Sequence, residues 1–523
     1  MAESFAPYSP QWWHSRLIVA LGAKQKRYDL LDRYHRSDAP LPPGPSTKGT
    51  TSSQTRFGRE AVDAFEVMRK ISRVNWADMI VEALIERMKV LGFSTGAGGT
   101  TASDVAAWAI WQANDLDTSM PQLLRTKGAL GEAYTIVGPI DTHIGAPRVT
   151  CEDPRQVVVE VDPVDRRRVL AALKVFGDDA SGVDRSYLYL PGYDGGPAQL
   201  YRGARLRDRN VKSLQFDAKG WDWAEPEDLP TTAVPVTWFP NRADLYGRVL
   251  GEFEHVLDDL NRISMLVLQR MQVAMLQAFR QRALKGDLPE FDETGKKIDY
   301  DSIFSSDPAA MWLLPNGVEM WESSGVDLTP ILESVKADVR ELAGRTRTPL
   351  YYLFPNEGGS AEGAVTQREG LIFRASSRIT ETDGPIEATM ALALEAAGIE
   401  APTDMETVWS RPDLATLAER YDAAAKARAA GLPERYIWRV ILQMSPQDIE
   451  RAEQDAAVDV AATPSGGGST RQLAAAEIVQ KAYLGVGKVL TSDEARAMVN
   501  AAGGSLEMPG PVFTEQAAAP VLA

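Results

Sequence analysis

One long segment limits the possible folds of this chain more than any other feature. From about Tyr246 to Leu284 the sequence has no proline, and its only glycines, Gly247 and Gly251, lie at the start. Apolar residues recur through the segment at helical spacing, which predicts one amphipathic helix. A helix of about 30 residues extends about 45 Å at 1.5 Å per residue. Such a helix needs a long partner against which to bury its apolar face.

A compact module and a second helix follow this segment. The module spans residues 287–327 and contains Asn316 and Gly317, a dipeptide that favours the turn of a β-hairpin. Apolar and aromatic residues flank the turn at 312–314 and 318–321, so we predict a hairpin there. A helix is predicted from about 330 to 344. The order of helix, small β module and helix predicts a stalk that carries a tip.

The N-terminal part of the chain combines helices with a β region. Periodic apolar residues predict helices at 10–36 and 61–91, with shorter ones near 105–113 and 120–130. From about 133 to 240, short β-branched runs alternate with Gly, Pro and Asp clusters, which predicts a mainly antiparallel β region.

The C-terminal part is predicted to be helical. A long helix from about 361 to 397 should kink at Gly384-Pro385. Helical periodicity predicts further helices near 413–430, 434–442 and 446–458, and a helical pair at 478–484 and 492–502. The composition of 465–469 predicts a flexible linker, and that of the residues from 509 predicts a disordered tail.

Size and charge narrow the function classes. A chain of 523 residues exceeds a single core, so two to four structural units are expected. The net charge of -16 argues against a sequence-specific DNA binder, because tight binding neutralises phosphates with Lys and Arg. The same negative charge is compatible with a surface along which DNA moves without being bound. No window is apolar enough for a membrane span or a signal peptide, which predicts a protein made in the cytosol.

Signatures of catalysis and metal binding are missing from the sequence. Lys488 is followed by Val489 and not by the Ser or Thr that holds magnesium in a phosphate-binding loop. Cys151 is the single cysteine, which excludes an intrachain disulfide and a cysteine-based zinc site. The glycines at 96–99 lack the accompanying GK[ST] and are interpreted as a connector. We therefore predict no enzyme activity, no catalytic residue, no metal site and no cofactor.

Several motifs occur together in an order that resembles one family. They are Asn75-Trp76, Ile80-Val81, Glu86-Arg87, Ile110 to Asn114 with Asp117, Gly131 to Tyr134, Val234 to Val236, Asn241-Arg242, Leu257 to Arg262, Thr348 to Leu350, Gly359 to Gly363, Gln480 to Gly485 and Glu494 to Arg496. In this order the chain resembles the portal proteins of tailed bacteriophages, in particular those of siphophages, over most of its length.

The resemblance implies an α+β, mainly helical fold of the portal type, with a wing, a stem of long helices, a small α/β clip and a helical crown. The implied parts are, in chain order, the wing at 1–245, the first stem helix at 246–284, the clip at 285–329, the second stem helix at 330–348, the tunnel loop and long helix at 349–400, the crown at 401–508 and the tail at 509–523. It also implies a ring, usually of twelve subunits, at one vertex of the capsid.

The resemblance assigns roles to three sets of residues. The DNA-facing tunnel loop would be Asn356, Glu357, Gly358, Gly359 and Ser360. The basic residues of the channel or of the contact between subunits would be Arg368, Arg374 and Arg378. The clip residues that dock adaptor or terminase would be Asp287, Glu290, Asp292, Glu293, Trp312, Asn316, Gly317 and Trp321. The family often has Ser-Gly-x-Ala-Leu after the tunnel loop, where this chain has Ser360-Ala-Glu-Gly-Ala364, so the register of the loop stays open.

For each set the residues allow a second interpretation. The three arginines could contact phosphates, or pair with acidic residues of the next subunit, which we favour. Residues 285–327 hold ten acidic residues against three lysines, which would make either an acidic collar that repels DNA or an ordinary solvated patch. The glycines at 358–359 could flex as DNA passes, or simply connect two helices.

The implied function is a channel for double-stranded DNA during packaging and ejection. The implied partners are further copies of the chain, the DNA, the major capsid protein, head-tail connector (adaptor) proteins and the large subunit of terminase, with no membrane involved. The implied location is the capsid vertex of the virion, after assembly in the host cytoplasm. Two alternatives stay open, a virion scaffold protein without a channel and a nucleic-acid-processing enzyme or ATPase with an unrecognised site.

Overall fold

The computed structural model describes residues 5–40, 59–95, 101–207, 214–278, 282–286, 290–291, 294–298, 318–322, 324–354, 361–413 and 415–462. The chain divides into two units, Met1–Pro446 and Gln447–Ala523. Within the second unit the structure describes one helix, which runs from the unit boundary to Ala462. Helices and strands both contribute to the first unit, so the fold is mixed, as predicted.

The first helix, α1 (Pro10–His35), has the predicted bounds within one residue. Ser9 caps it by accepting a hydrogen bond from the backbone N–H of Trp12 at 3.3 Å. Its buried residues, among them Leu17, Ile18 and Leu21, cover one face of a β-sheet described below. The periodicity of this segment therefore reports a helix that packs on a sheet.

The helix predicted at 61–91 is helical over most of its length, but it is interrupted at 72–75 and ends at Ile85. Two helices, α2 (Arg59–Ile71) and α3 (Trp76–Ile85), are followed by strand β1 (Val90–Thr95). β1 pairs with β13 (Met405–Trp409), a strand inside the region predicted to be entirely helical. The partners are separated by about 310 residues of sequence, so no local pattern could show that each strand has a partner.

The antiparallel β region is confirmed. Helices α4 (Ala102–Ala113) and α5 (Leu116–Leu130) lead into it. The strands that follow are antiparallel, namely β2 (Glu132–Asp141), β3 (Ala146–Glu152), β4 (Val157–Val161), β5 (Val169–Asp178), β6 (Val183–Leu190), β7 (Gln199–Leu206), β8 (Asp222–Trp223), β9 (Glu227–Asp228) and β10 (Val236–Pro240). They form one sheet in the order β10-β2-β3 and a second in the order β4-β5-β6-β7-β8, with β9 beside β7.

The predicted stalk is present with corrected bounds. Its first helix, α6 (Leu257–Ala278), begins eleven residues later than predicted and follows a 3-10 turn at Glu254–Val256. The preceding segment is not helical, because Gly247 has a φ of +80° and Gly251 lies too close to another segment. A Cβ at Gly251 would lie 2.6 Å from the carbonyl oxygen of Ala129. The return helix, α7 (Thr329–Thr346), agrees with the prediction.

Two short antiparallel strands lie beyond α6 and before α7. β11 (Arg282–Lys285) was predicted as the end of the helix, and it pairs with β12 (Glu319–Glu322). The strand predicted at 318–321 is therefore confirmed, and β11 is its described partner. The predicted turn and the strand at 312–314 lie outside the described residues.

The remaining helices surround the core. α8 (Leu350–Leu353) precedes α9 (Ala361–Ala396), which matches the predicted long helix and contains Pro385. α10 (Leu417–Ala429), α11 (Glu434–Tyr436) with a π-helical turn at Ile437–Ile441, and α12 (Pro446–Ala462) follow. The predicted linker at 465–469, the helical pair and the tail lie outside the described residues. The largest hydrophobic cluster joins α4, α5, β2, β3 and α9.

Candidate functional site

A buried carboxylate connects the base of the stalk to the long helix. Glu252, 2% exposed, accepts hydrogen bonds from Arg374 at 2.8 Å, from Arg378 at 2.5 Å and from Asn241 at 3.0 Å. Burial alone would raise the pKa of Glu252, but the two guanidiniums stabilise the carboxylate and lower its pKa to about 2. Glu252 is therefore ionised at neutral pH and paired with two cations.

Arg374 extends this junction to the return helix of the stalk, α7, and to α3. Its guanidinium donates to the backbone oxygen of Thr346 at 2.6 Å, at the end of α7, and to that of Ile80 at 3.3 Å. Arg378 also pairs with Glu381 at 2.8 Å. The junction therefore fixes the stalk to the core through one side chain from α9.

These contacts correct the prediction for two of the three arginines. Arg374 is 7% exposed and pairs with Glu252 inside its own chain, and Arg378 pairs with both Glu252 and Glu381. A buried cation needs a nearby partner, and the loop before α6 supplies it here, so neither side chain is available to DNA or to another subunit. Arg368 lies one and a half turns earlier on α9 and is exposed.

The two stalk helices pack through an apolar seam with charged residues at its edge. Leu260 and Ile263 of α6 and Val339 and Leu342 of α7 are buried in one cluster. Arg262 crosses the edge of the seam, with its Nε 3.2 Å from Asp338 and its Nη2 3.1 Å from Glu341. Arg345 pairs with Asp259 in the opposite direction. The seam holds the helices together, and the partly exposed pairs of Arg262 add little, whereas Asp259 is buried beside Arg345.

The described part of the tip presents apolar side chains to solvent. Met320 and Trp321 on β12 are 46% and 57% exposed, and Phe291 is 56% exposed. Glu290 beside Phe291 is also exposed. Large apolar side chains exposed on a β module are typical of a protein contact.

The other predicted site residues lie outside the described residues. They are Asn356, Glu357, Gly358, Gly359 and Ser360 of the tunnel loop and Asp287, Asp292, Glu293, Trp312, Asn316 and Gly317 of the clip.

Sequence reasoning missed two buried carboxylates. Glu252 was not singled out at all. Glu132 lies in the motif at 131–134 but received no role, and its carboxylate accepts hydrogen bonds from Tyr134 at 2.9 Å, Trp238 at 2.7 Å and Lys24 at 2.7 Å. Motif residues at 131–134 and 241 therefore form buried hydrogen bonds inside the subunit. Their presence in a motif was the sequence feature that could have indicated this role.

The described residues contain neither a cluster of metal ligands nor a membrane-spanning helix. In that part of the chain no group of three or more His, Cys, Asp or Glu side chains could hold a metal ion. None of its helices is long and apolar enough to cross a membrane. Cys151 is half-buried on β3, and burial raises the pKa of its thiol to about 11.

Two curated relatives carry the same description. A protein named portal protein from Mycobacterium phage D29 is 26% identical over 387 residues, which cover 69% of this chain and 73% of the relative. A protein named portal protein from Mycobacterium phage L5 is 25% identical over 390 residues, which cover 70% and 74%. No protein-family model matches the chain. The resemblance to siphophage portal proteins is thereby confirmed.

A solved structure also matches. It is described as the neck of a native GTA particle computed with C12 symmetry, and the match covers 74% of this chain and 94% of the solved chain. The sequences are 12% identical and the TM-score is 0.41, a likeness that carries no argument about function.

Proposed function

We propose that this chain, a relative of siphophage portal proteins, is one subunit of a non-catalytic ring of twelve copies at a capsid vertex. The ring would form the channel through which double-stranded DNA enters during packaging and leaves during ejection. The observation that carries the proposal is the similarity to two portal proteins over about 70% of the chain.

In this proposal α6 and α7 are the stem, and the module between them is the clip. The contacts of Glu252 with Arg374 and of Arg374 with Thr346 support it, because they fix the base of the helix pair to the core. A stem that is anchored at its base and apolar along its seam can hold a tip at a constant position. Residues 356–360 would be the tunnel loop, and the chain after about 401 would be the crown.

Electrostatics favours a channel that does not retain DNA. The net charge of -16, and the ten acidic residues against three lysines at 285–327, would repel phosphates in a ring of copies. Two of the three arginines that the resemblance assigns to the channel pair with carboxylates of their own chain, Arg374 with Glu252 and Arg378 with Glu252 and Glu381. This leaves Arg368 as the candidate phosphate contact of that set, because it is exposed.

The clip would dock adaptor proteins and, during packaging, the large subunit of terminase. Its exposed apolar residues, Met320 and Trp321, support this role, because aromatic residues and Met are enriched at the centres of protein interfaces. Glu290 would lie at the rim of the same contact.

Replacing both apolar residues tests the docking role. Met320→Ser with Trp321→Ser should weaken binding of the phage's purified adaptor by about tenfold or more while ring formation is unchanged. The measurement is adaptor binding by biolayer interferometry, and Tyr421→Ser, at a residue that is 63% exposed, is the matched control. Full adaptor affinity in the double variant would contradict docking at this surface.

Mass photometry and electron micrographs of the purified chain test the ring itself. A species near twelve times 57.2 kDa with a central hole is the expected result. The same preparation should show no ATP hydrolysis, since the packaging motor would be a separate chain. A protein that stays monomeric even when it is co-expressed with the capsid proteins would overturn the proposal.

A further inference from the structure

A small cavity lies inside the first unit, beside the junction that anchors the stalk. Its volume is about 10 Å³, which is the room that a single water molecule needs. Lys127, Asn241, Glu252 and Arg378 supply polar groups to its wall, and apolar side chains such as that of Met88 complete it. Lys127, Asn241 and Glu252 are each 2% exposed. The polar side of this cavity therefore lies in the interior of the chain.

Lys127, on α5, brings more hydrogen-bond donors into the interior than the surrounding side chains accept. An ammonium group has three N–H donors, and one of them donates to Oγ1 of Thr382 at 2.6 Å. Among the described residues the other two reach no acceptor. Burial lowers the pKa of Lys127 to about 8, so the group is still mostly charged at pH 7. Such a group needs a further polar partner, because an unpaired donor in the interior has lost its hydration without replacement.

The wall of the cavity also contains a hydrogen-bond acceptor. Nδ2 of Asn241 donates to two oxygens, at 2.8 and 3.0 Å, which leaves Oδ1 as the acceptor of this amide. Within the described part of the chain no hydrogen bond to that oxygen is formed. The Glu252 carboxylate already accepts four hydrogen bonds, two from Arg374, one from Arg378 and one from Asn241, which is about its capacity. A molecule in the cavity would therefore find a donor at Lys127 and an acceptor at Asn241.

We propose that this cavity binds one ordered water molecule, which accepts a hydrogen bond from Nζ of Lys127 and donates one to Oδ1 of Asn241. Buried waters typically make about three hydrogen bonds to polar groups that the protein leaves unpaired. The third can come from Nη2 of Arg378, which has no partner among the described residues. The water joins α5 to the residues at the base of the stalk. The site lies within one chain, so it does not depend on the proposed ring.

Ions fit the same cavity less well than water does. A metal cation would lie against the positive charges of Lys127 and Arg378. An anion would lie against the carboxylate of Glu252, which stays ionised at neutral pH because its pKa is about 2. Water offers both donors and acceptors without a net charge, so it suits a wall that carries charges of both signs. The polar groups also favour a hydrated cavity, since cavities that stay dry are apolar.

Oxidation of Met88 under X-rays tests for the water. Ionising radiation converts water into hydroxyl radicals, which oxidise methionine to its sulfoxide close to where they form. Met88 is 5% exposed and lines the cavity, so by peptide mass spectrometry it should oxidise several-fold faster than Met120, which is 2% exposed and does not line this cavity. A radical scavenger confined to bulk solvent should protect Met265, which is 43% exposed, and leave Met88 unaffected. Oxidation of Met88 only at the rate of Met120, or equal protection of Met88 and Met265, would overturn the bound water.

Replacing Lys127 tests which residue holds the water. Lys127→Met keeps an unbranched side chain of similar length and removes the ammonium donors, so the scavenger-resistant oxidation of Met88 should fall to the rate of Met120. Lys426→Met, at a side chain that is 77% exposed, is the matched control and should leave Met88 oxidation unchanged. Unchanged oxidation of Met88 in Lys127→Met, with a wild-type circular dichroism spectrum, would overturn the role of Lys127. If that variant does not fold, the comparison of Met88 with Met120 in the wild type still decides whether the water is bound.

Discussion

Glu252 carries two buried cations, and its replacement tests how strongly the stalk depends on it. Glu252→Gln keeps the shape of the side chain but leaves Arg374 without a countercharge and Arg378 with only the partly exposed Glu381. Breaking a buried ion pair on one side costs about 3–5 kcal/mol. We therefore expect the free energy of unfolding, measured by urea denaturation of the monomer, to fall by about that amount.

The matched control for this change is an exposed ion pair. Lys426 and Asp422 lie 2.6 Å apart with side chains that are 77% and 65% exposed. Asp422→Asn should change the free energy of unfolding by no more than about 0.5 kcal/mol. Equal effects of Glu252→Gln and Asp422→Asn would contradict a structural role for the junction. In the wild type, the stabilisation from Glu252 is complete above pH 4.5 and is lost as the pH falls toward 2.

Asp383 makes the opposite contribution to the dependence of stability on pH. Burial, with Glu387 and Glu406 nearby, raises its pKa to about 6, against the opposing effects of the hydrogen bond from Trp409 and of Lys127. The folded state therefore binds a proton more tightly than the unfolded state, where the pKa is 3.8. Stability from this group is present below pH 3.8 and is lost as the pH rises to about 6.

Asp383→Asn should remove the loss of stability that ionisation of Asp383 causes above about pH 6. We expect the variant to melt at a higher temperature than wild type at pH 7.5, with a gap that narrows toward pH 4. The amide oxygen still accepts the Trp409 hydrogen bond, so the geometry is kept. Differential scanning calorimetry at several pH values checks this, and a gap that does not depend on pH would refute it.

At the scale of elements, apolar periodicity identified the helices that bury one face, such as α1, α7 and α9. It failed where a distant segment decides the conformation. Residues 246–253 have helical composition, yet they do not form a helix, because Gly251 packs closely on Ala129. Arg374 likewise looked like a channel residue, because its partner, Glu252, is 122 residues away. Contacts of this kind depend on the assembled fold and leave no periodic pattern.

The seam of the stalk gives a prediction at the same scale. Ile263 is completely buried between α6 and α7, so Ile263→Ala should lower the free energy of unfolding by about 2–5 kcal/mol. Met265, two residues later, is 43% exposed and points away, so Met265→Ala should stay within about 0.5 kcal/mol. Urea denaturation of the two variants measures the difference. Similar losses in both would mean that the seam does not hold the helix pair together.

At the scale of the whole molecule, charge and assembly oppose each other. Each copy carries a net charge of -16, so bringing copies together in a ring costs electrostatic free energy. Apolar area buried between copies of a ring supplies attraction that salt does not screen. The balance between these terms should therefore depend on ionic strength.

We expect salt to promote the ring. Between 0.01 M and 0.15 M ionic strength the screening length falls from about 30 Å to about 8 Å, so repulsion between neighbouring copies weakens. The protein concentration at which half of the chains are in rings, measured by mass photometry, should fall over this range. A ring that dissociates as salt is added would instead show that complementary ion pairs between copies outweigh their net repulsion, and the apolar contact would then be a minor part of the interface.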